Sequence, residues 1–210
     1  MVNKVAKNTA RFAIDDKSAA ILGLFTSDYA KRLHVREIAR QLHMNHRTVI
    51  LHLRPLEQEN ILTAERIGRT KSYTPNLKNI LTKCALELAE NHATVTFLAE
   101  HFLIKNILAE LEARARPEGA LILFGSHAKG YATDESDIDL LMIGTLDKRV
   151  LEDIKTRTGK RISIQMLTAK DFTQALATKD ALAWEVVTAH KILKQSGLLV
   201  DIIWRHYYAR

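Results

Sequence analysis

Two apolar runs of strand length, residues 120–124 and 140–143, flank a segment that reads Gly125-Ser126, ten residues, then Asp137-Ile138-Asp139. No other stretch constrains the fold as tightly. The Gly-Ser pair is a turn after the first run, and Asp137 and Asp139, two apart on a strand, project to one face. Gly125 lets the backbone approach a phosphate, and Ser126 offers a hydroxyl. Amides at the start of the following helix complete an anion cradle, to which Lys129 adds positive charge. Two hard carboxylates on one face hold Mg²⁺ when a nucleotide's phosphates supply the remaining oxygens. Ser136 caps the turn and aims the first aspartate. A phosphate cradle facing a divalent-metal site is therefore expected, which points to nucleotidyl transfer chemistry.

A break at Pro117-Glu118-Gly119 precedes this region. Strand 120–124, a short helix, strand 137–143, a helix over about 147–158, strand 162–167 and helices to about 193 predict a small α/β sheet domain. With the N-terminal part, the expected class is α+β. The expected organisation is an N-terminal domain over 1–76, a helical linker or dimerisation segment over 77–116, and the sheet domain over 117–210.

The net charge of +7 is unevenly spread. Residues 1–76 hold 13 Lys and Arg against 7 Asp and Glu, whereas the other two segments are close to neutral, so a polyanion would bind the first third. No run of 18 apolar residues exists, so no membrane span is expected. The first residues lack the apolar core of a signal peptide, and a single cysteine, Cys84, excludes an internal disulfide framework; a cytoplasmic protein is expected. Cys84 falls in a helical stretch and reads as a buried thiol.

In the first third, Ile21, Leu24 and Phe25 recur at helical spacing, and Val35, Ile38, Ala39 and Leu42 define a second helix over 35–43. A third helix, with Asn45 as N-cap, buries Val49, Leu53 and Leu56, with His52 at the core boundary and Pro55 kinking or shortening it. Two short strands around a basic tip at 67–71 form a hairpin. With Arg36-Glu37-Ile38-Ala39-Arg40-Gln41-Leu42, Thr48-Val49, His52-Leu53 and Pro55-Leu56-Glu57, residues 15–76 resemble the winged helix-turn-helix DNA-binding domains. That resemblance implies double-stranded DNA as partner and a role in transcription regulation. Asn45, Arg47, Thr48 and Leu51 would face the major groove, and Arg66, Arg69 and Lys71 on the wing would reach phosphates.

Residues 77–116 read as helix almost throughout. The stripe Ile104, Ile107, Leu108 and Leu111 either packs within the chain or forms a homodimer seam. The Gly125-Ser126, ten-residue, Asp137-x-Asp139 signature resembles the minimal nucleotidyltransferases, small relatives of the DNA polymerase beta superfamily, over about 117–195. The resemblance implies a mixed sheet and Mg²⁺-bound nucleoside triphosphate. Asp137 and Asp139 would be metal ligands and catalytic, and Gly125, Ser126, Lys129 and Ser136 would bind the nucleotide. Lys129 stands where many members carry arginine, keeping the charge but losing the fork. The family's third carboxylate, on the next strand, has no counterpart, because the same-face positions there are Ser163 and Gln165. Two roles follow: a DNA-binding regulator with a nucleotide-binding domain, or an active transferase of antitoxin type that modifies a protein, such as a toxin partner, or an RNA.

Overall fold

The computed structural model describes residues 12–68 and 70–208. It is a mixed α/β protein with two sheets. Helix α1 (Asp16–Gly23) begins at Asp15, whose carboxylate accepts from the Ser18 amide at 2.9 Å. Strand β1 (Leu33–His34) leads into α2 (Val35–Gln41), where Glu37 reaches back to accept from the His34 amide at 2.8 Å. Helix α3 (His46–Gln58) starts at Asn45, which accepts from the Thr48 amide at 2.8 Å, as its sequence predicts. Strands β2 (Leu62–Ile67) and β3 (Thr70–Pro75) form the hairpin, and β1 adds to it in the order β1-β3-β2, all antiparallel.

Pro55 does not stop α3, which runs three residues beyond it. A proline inside a helix costs about 3 kcal/mol. Val49, Leu53 and Leu56 are fully buried on the inner face of the same helix. At about 1.5–3 kcal/mol each, their burial outweighs the proline. His52 sits at the boundary, as expected, 3.2 Å from Ser18 Oγ and 3.1 Å from Asp15.

The middle of the chain is helical: α4 (Ile80–Glu100), a bend at His101, α5 (Phe102–Glu110) and a single π turn over Leu111–Ala115. The second sheet follows, with order β6-β5-β4-β7. Strand β4 (Glu118–Phe124) pairs antiparallel with β5 (Ile138–Thr145) and with β7 (Lys191–Lys194), and β5 pairs parallel with β6 (Ile162–Leu167). Helix α6 (Gly125–Lys129) lies between β4 and β5, and α7 (Lys148–Thr158) between β5 and β6. Helices α8 (Ala169–Ala177) and α9 (Ala181–Thr188) precede β7, and α10 (Ser196–Tyr208) follows it. Where the sequence predicts helix to about residue 193, the chain instead forms strand β7 followed by α10, because β7 finds backbone partners on β4.

Both faces of β4 are buried, which explains its unbroken apolar run. On one face, Leu121 and Leu123 join Ile104, Ile107 and Leu111 with α7. The stripe on α5 is thus an intramolecular packing surface. On the other face, Ala120 and Ile122 join a larger core that continues without interruption through α8, α9, α10 and α4 to α1, α3 and the first sheet. Tyr29 anchors the far end against Trp204 and Tyr207, with ring centroids 6.4 and 5.5 Å apart.

Cys84 is exposed, contrary to the expected buried thiol. It lies on the side of α4 opposite the buried Leu86 and Ala89. Among the described residues, no helix is long and apolar enough to cross a membrane.

Candidate active site

The site forms where β4 and β5 end side by side. Asp139 pairs with Phe124 across the antiparallel ladder, so its carboxylate rises beside the Gly125 turn. Gly125 is buried with φ +70°, and a Cβ there would lie 2.4 Å from Asp139 Oδ2. A glycine is required on both counts: backbone conformation and the space taken by the carboxylate. Asp137, just before β5, pairs with the exposed guanidinium of Arg161 at 2.9 Å. Ser136 Oγ accepts from the Thr133 amide at 2.9 Å, so it secures the loop that carries Asp137. Ser126 is half-buried behind Gly125 on α6.

The Asp139 carboxyl is held above its ordinary pKa. Burial is the main cause; the nearby Asp137 and then Glu185 add to it, and His127 opposes them. Two carboxylates made costly to ionise together, beside a glycine turn, suit a divalent cation with phosphate ligands. The chemistry of this donor set therefore fits Mg²⁺ held by Asp137 and Asp139. Among the described residues, no cluster of three or more Asp, Glu, His or Cys side chains could hold an ion by itself, so the phosphates would have to contribute.

Two residues that the motif does not mark also reach the site. Glu185, on α9, forms an ion pair of 2.6 Å with Lys129, and its charge acts on Asp139. The Glu185 hydrogen bond holds the Lys129 pKa above its ordinary value. His127, on α6, has Nε2 buried without a hydrogen-bond partner among the described residues. On β6, Ser163 lies in register with Asp139 and Gln165 with Leu141, so no acid faces the aspartates from that strand.

Glu185→Gln gives a direct check on this electrostatic arrangement. Removing its charge and releasing Lys129 is expected to lower the Asp139 pKa toward the ordinary carboxylate value. Carboxyl-carbon NMR titration of the variant measures it, and an unmoved Asp139 would refute the coupling.

The residues expected to meet DNA lie elsewhere. Asn45, Arg47, Thr48 and Leu51, with His46, line a shallow depression at the start of α3. Arg66 is exposed on β2. Lys71 is held by both Glu57 oxygens at 2.6 and 2.7 Å and lies 5.4 Å over the Tyr73 ring. Arg69 lies outside the described residues.

Comparison with known proteins bears on the C-terminal half. The model of the family "Polymerase beta, Nucleotidyltransferase" matches residues 104–197. A Methanocaldococcus jannaschii protein named "Putative protein adenylyltransferase" is 32% identical, over 51% of this chain and 80% of its own length. The chain belongs to the polymerase beta nucleotidyltransferase family. A second protein of that organism with the same descriptive name is 39% identical over 28% of this chain and 59% of its own length. No solved structure matches the chain significantly. The nucleotidyltransferase match encloses Gly125, Ser126, Asp137, Asp139 and Glu185, whereas α1, α2, α3 and the first sheet fall outside it.

Proposed function

We propose that the chain transfers an adenylyl group from Mg²⁺-bound ATP to a hydroxyl on a protein. The observation that carries this reading is Asp139 seated against the Gly125 turn with Asp137 near enough to act on its charge. The names of the two relatives support the choice of adenylate and of a protein acceptor. A cation bound by Asp137 and Asp139 would neutralise triphosphate charge and act as a Lewis acid on it. The acceptor oxygen forms a bond to the α-phosphorus, the bond from that phosphorus to its bridging oxygen breaks, and pyrophosphate leaves. Gly125 and Ser126 seat the phosphates, and Lys129 exchanges Glu185 for a phosphate oxygen. Glu185, once released, is the third carboxylate, in place of the acid absent from β6, and takes the hydroxyl proton. Incubation with α-labelled ATP, Mg²⁺ and a protein extract from the source cells should label a discrete protein. Label from GTP or UTP instead would change the nucleotide, and label recovered only in RNA would change the acceptor class.

A second reading concerns the N-terminal part. The exposed Asn45, Arg47 and Leu51 at the start of α3, beside an antiparallel hairpin, favour a winged helix-turn-helix that docks on duplex DNA and so localises the transferase or regulates its gene. Each phosphate contacted should contribute about −0.9 to the slope of log affinity against log salt. Arg47→Ala, if it contacts a guanine edge, should cost about 1–3 kcal/mol on the preferred sequence. Fluorescence anisotropy with duplexes at several salt concentrations measures both. A flat salt response would remove DNA as the partner.

A further inference from the structure

At the end of α6 the chain doubles back on itself. Gly130 takes φ +80°, a left-handed conformation that suits glycine. Its amide donates to the His127 carbonyl at 3.4 Å, and the Tyr131 amide donates to the Ser126 carbonyl at 3.2 Å. These two bonds are the Schellman closure of a helix end. Here the closure ties the backbone of Tyr131 to Ser126, one of the two residues of the Gly125-Ser126 turn. The Tyr131 ring is 64% exposed and belongs to neither apolar core.

The hydroxyl of that ring meets Lys129. Glu185 is the main cause of the raised Lys129 pKa, and a hydrogen bond with Tyr131 adds to it. An ammonium can only donate, so the phenol oxygen accepts and its own proton stays uncommitted. Lys129 Nζ lies 2.6 Å from Glu185 Oε1, so one ammonium gathers a hydroxyl on one side and a carboxylate on the other. Other hydroxyls near the site are already engaged. Ser136 Oγ accepts from the Thr133 amide at 2.9 Å and lies 3.3 Å from Thr133 Oγ1. Thr188, one turn beyond Glu185, donates to the Trp184 carbonyl at 2.9 Å.

We infer that Tyr131 is an adenylyl acceptor within the chain itself. The inference rests on the transferase reading above, in which Lys129 leaves Glu185 for a phosphate oxygen and so brings the triphosphate beside the Tyr131 hydroxyl. Tyr131 Oη forms the bond to the α-phosphorus, the bond from that phosphorus to its bridging oxygen breaks, and pyrophosphate leaves. Glu185, released from Lys129, takes the phenol proton. ATP is the one co-reactant, and the product is an adenylyl ester of tyrosine. The reaction runs within a single chain, because the Tyr131 amide is bonded to the turn that seats the phosphates. A group on a short tether acts at an effective concentration of roughly millimolar, well above that of a dilute protein acceptor.

The purified full chain, given α-labelled ATP and Mg²⁺ and no other protein, should take up a single adenylyl group, which peptide mass spectrometry places on Tyr131. Tyr131→Phe keeps the ring and removes the acceptor oxygen. That variant should lose the self-label and still label a protein in the cell extract. The rate per chain should not change with protein concentration, and a size-tagged Asp139→Asn chain mixed with wild type should stay unlabelled although its Tyr131 is intact. A wild-type chain that labels an extract protein but never itself would overturn the inference and leave the transferase reading standing. Absence of label in both would remove the two together. Label on another residue, self-label that survives in Tyr131→Phe, or loss of transfer to the extract protein in that variant would overturn Tyr131 as the acceptor. Label passed to the Asp139→Asn chain would overturn reaction within one chain.

Discussion

Asp139→Asn is expected to lower adenylyl transfer at least about 10³-fold while the chain stays folded. The amide keeps the carboxylate's shape between Phe124 and Ser163 and over Gly125, so the β4–β5 and β5–β6 ladders are undisturbed. What disappears is one of two anionic ligands for the cation. Loss of several kcal/mol of charge stabilisation on the reacting phosphate corresponds to three decades or more at 1.36 kcal/mol per decade. Stability should move the other way. Burial, Asp137 and Glu185 hold the Asp139 pKa above that of an unfolded aspartate, so the folded chain binds this proton more tightly. The stabilisation from that proton is present below the unfolded pKa and is lost as pH rises through the folded one. Ionised Asp139 is therefore a burden at neutral pH, and the variant should melt at or above the wild-type temperature. Single-turnover transfer of labelled adenylate and thermal melts, run together, separate the two effects. Transfer within tenfold of wild type would remove Asp139 from the reaction, and a fall in melting temperature would place its role in folding.

His190→Ala should destabilise the chain by about 3–5 kcal/mol at neutral pH. His190 and Glu90 are both almost fully buried, with Nε2 3.0 Å from Oε1, and His190 Nδ1 bonds the Val186 carbonyl at 2.8 Å. Burial pushes the imidazole pKa down, but the Glu90 charge, its hydrogen bond and the Val186 carbonyl outweigh that and hold it above 6.5. A raised pKa means that the pair's contribution is complete below the unfolded histidine value and fades as pH rises through the folded one. The alanine variant leaves the Glu90 carboxylate buried without its partner, which is the costly half of breaking such a pair. Urea unfolding at several pH values tests this. Wild type should lose stability above about pH 6.5, whereas the variant should gain on acidification as Glu90 takes up a proton. A loss under 1 kcal/mol with parallel pH profiles would refute the pairing.

The parts of this fold legible in the sequence are those whose signals are local. Asn45 caps α3 as its side chain predicts, and the strand expected over 162–167 matches β6 to the residue. Gly125 and Asp139 were legible together because one motif carries both the turn and the carboxylate that fills the space above it. Strands β1 and β7, of two and four residues, are too short for a periodicity. β7 exists because β4 offers Leu121, Ile122 and Leu123 as backbone partners. Glu185 belongs to a helix that periodicity can suggest, yet nothing local says that this helix sets it beside Lys129, 56 residues earlier. Cys84 was misplaced for a related reason: a helix apolar on both sides gives its wheel no unique inside.

The apolar core that runs from the second sheet through α4 to α1 and α3 is one cluster, with the paired Glu90 and His190 buried beside it, and Tyr29 locks its far end to α10. Connected domains are free to swing when a small, polar contact joins them. Here any swing would open apolar surface to water. The start of α3 is consequently held at a fixed distance and angle from Asp137 and Asp139. The chain behaves as a ruler rather than a tether: whatever α3 rests on sets which hydroxyls fall within reach of the aspartates.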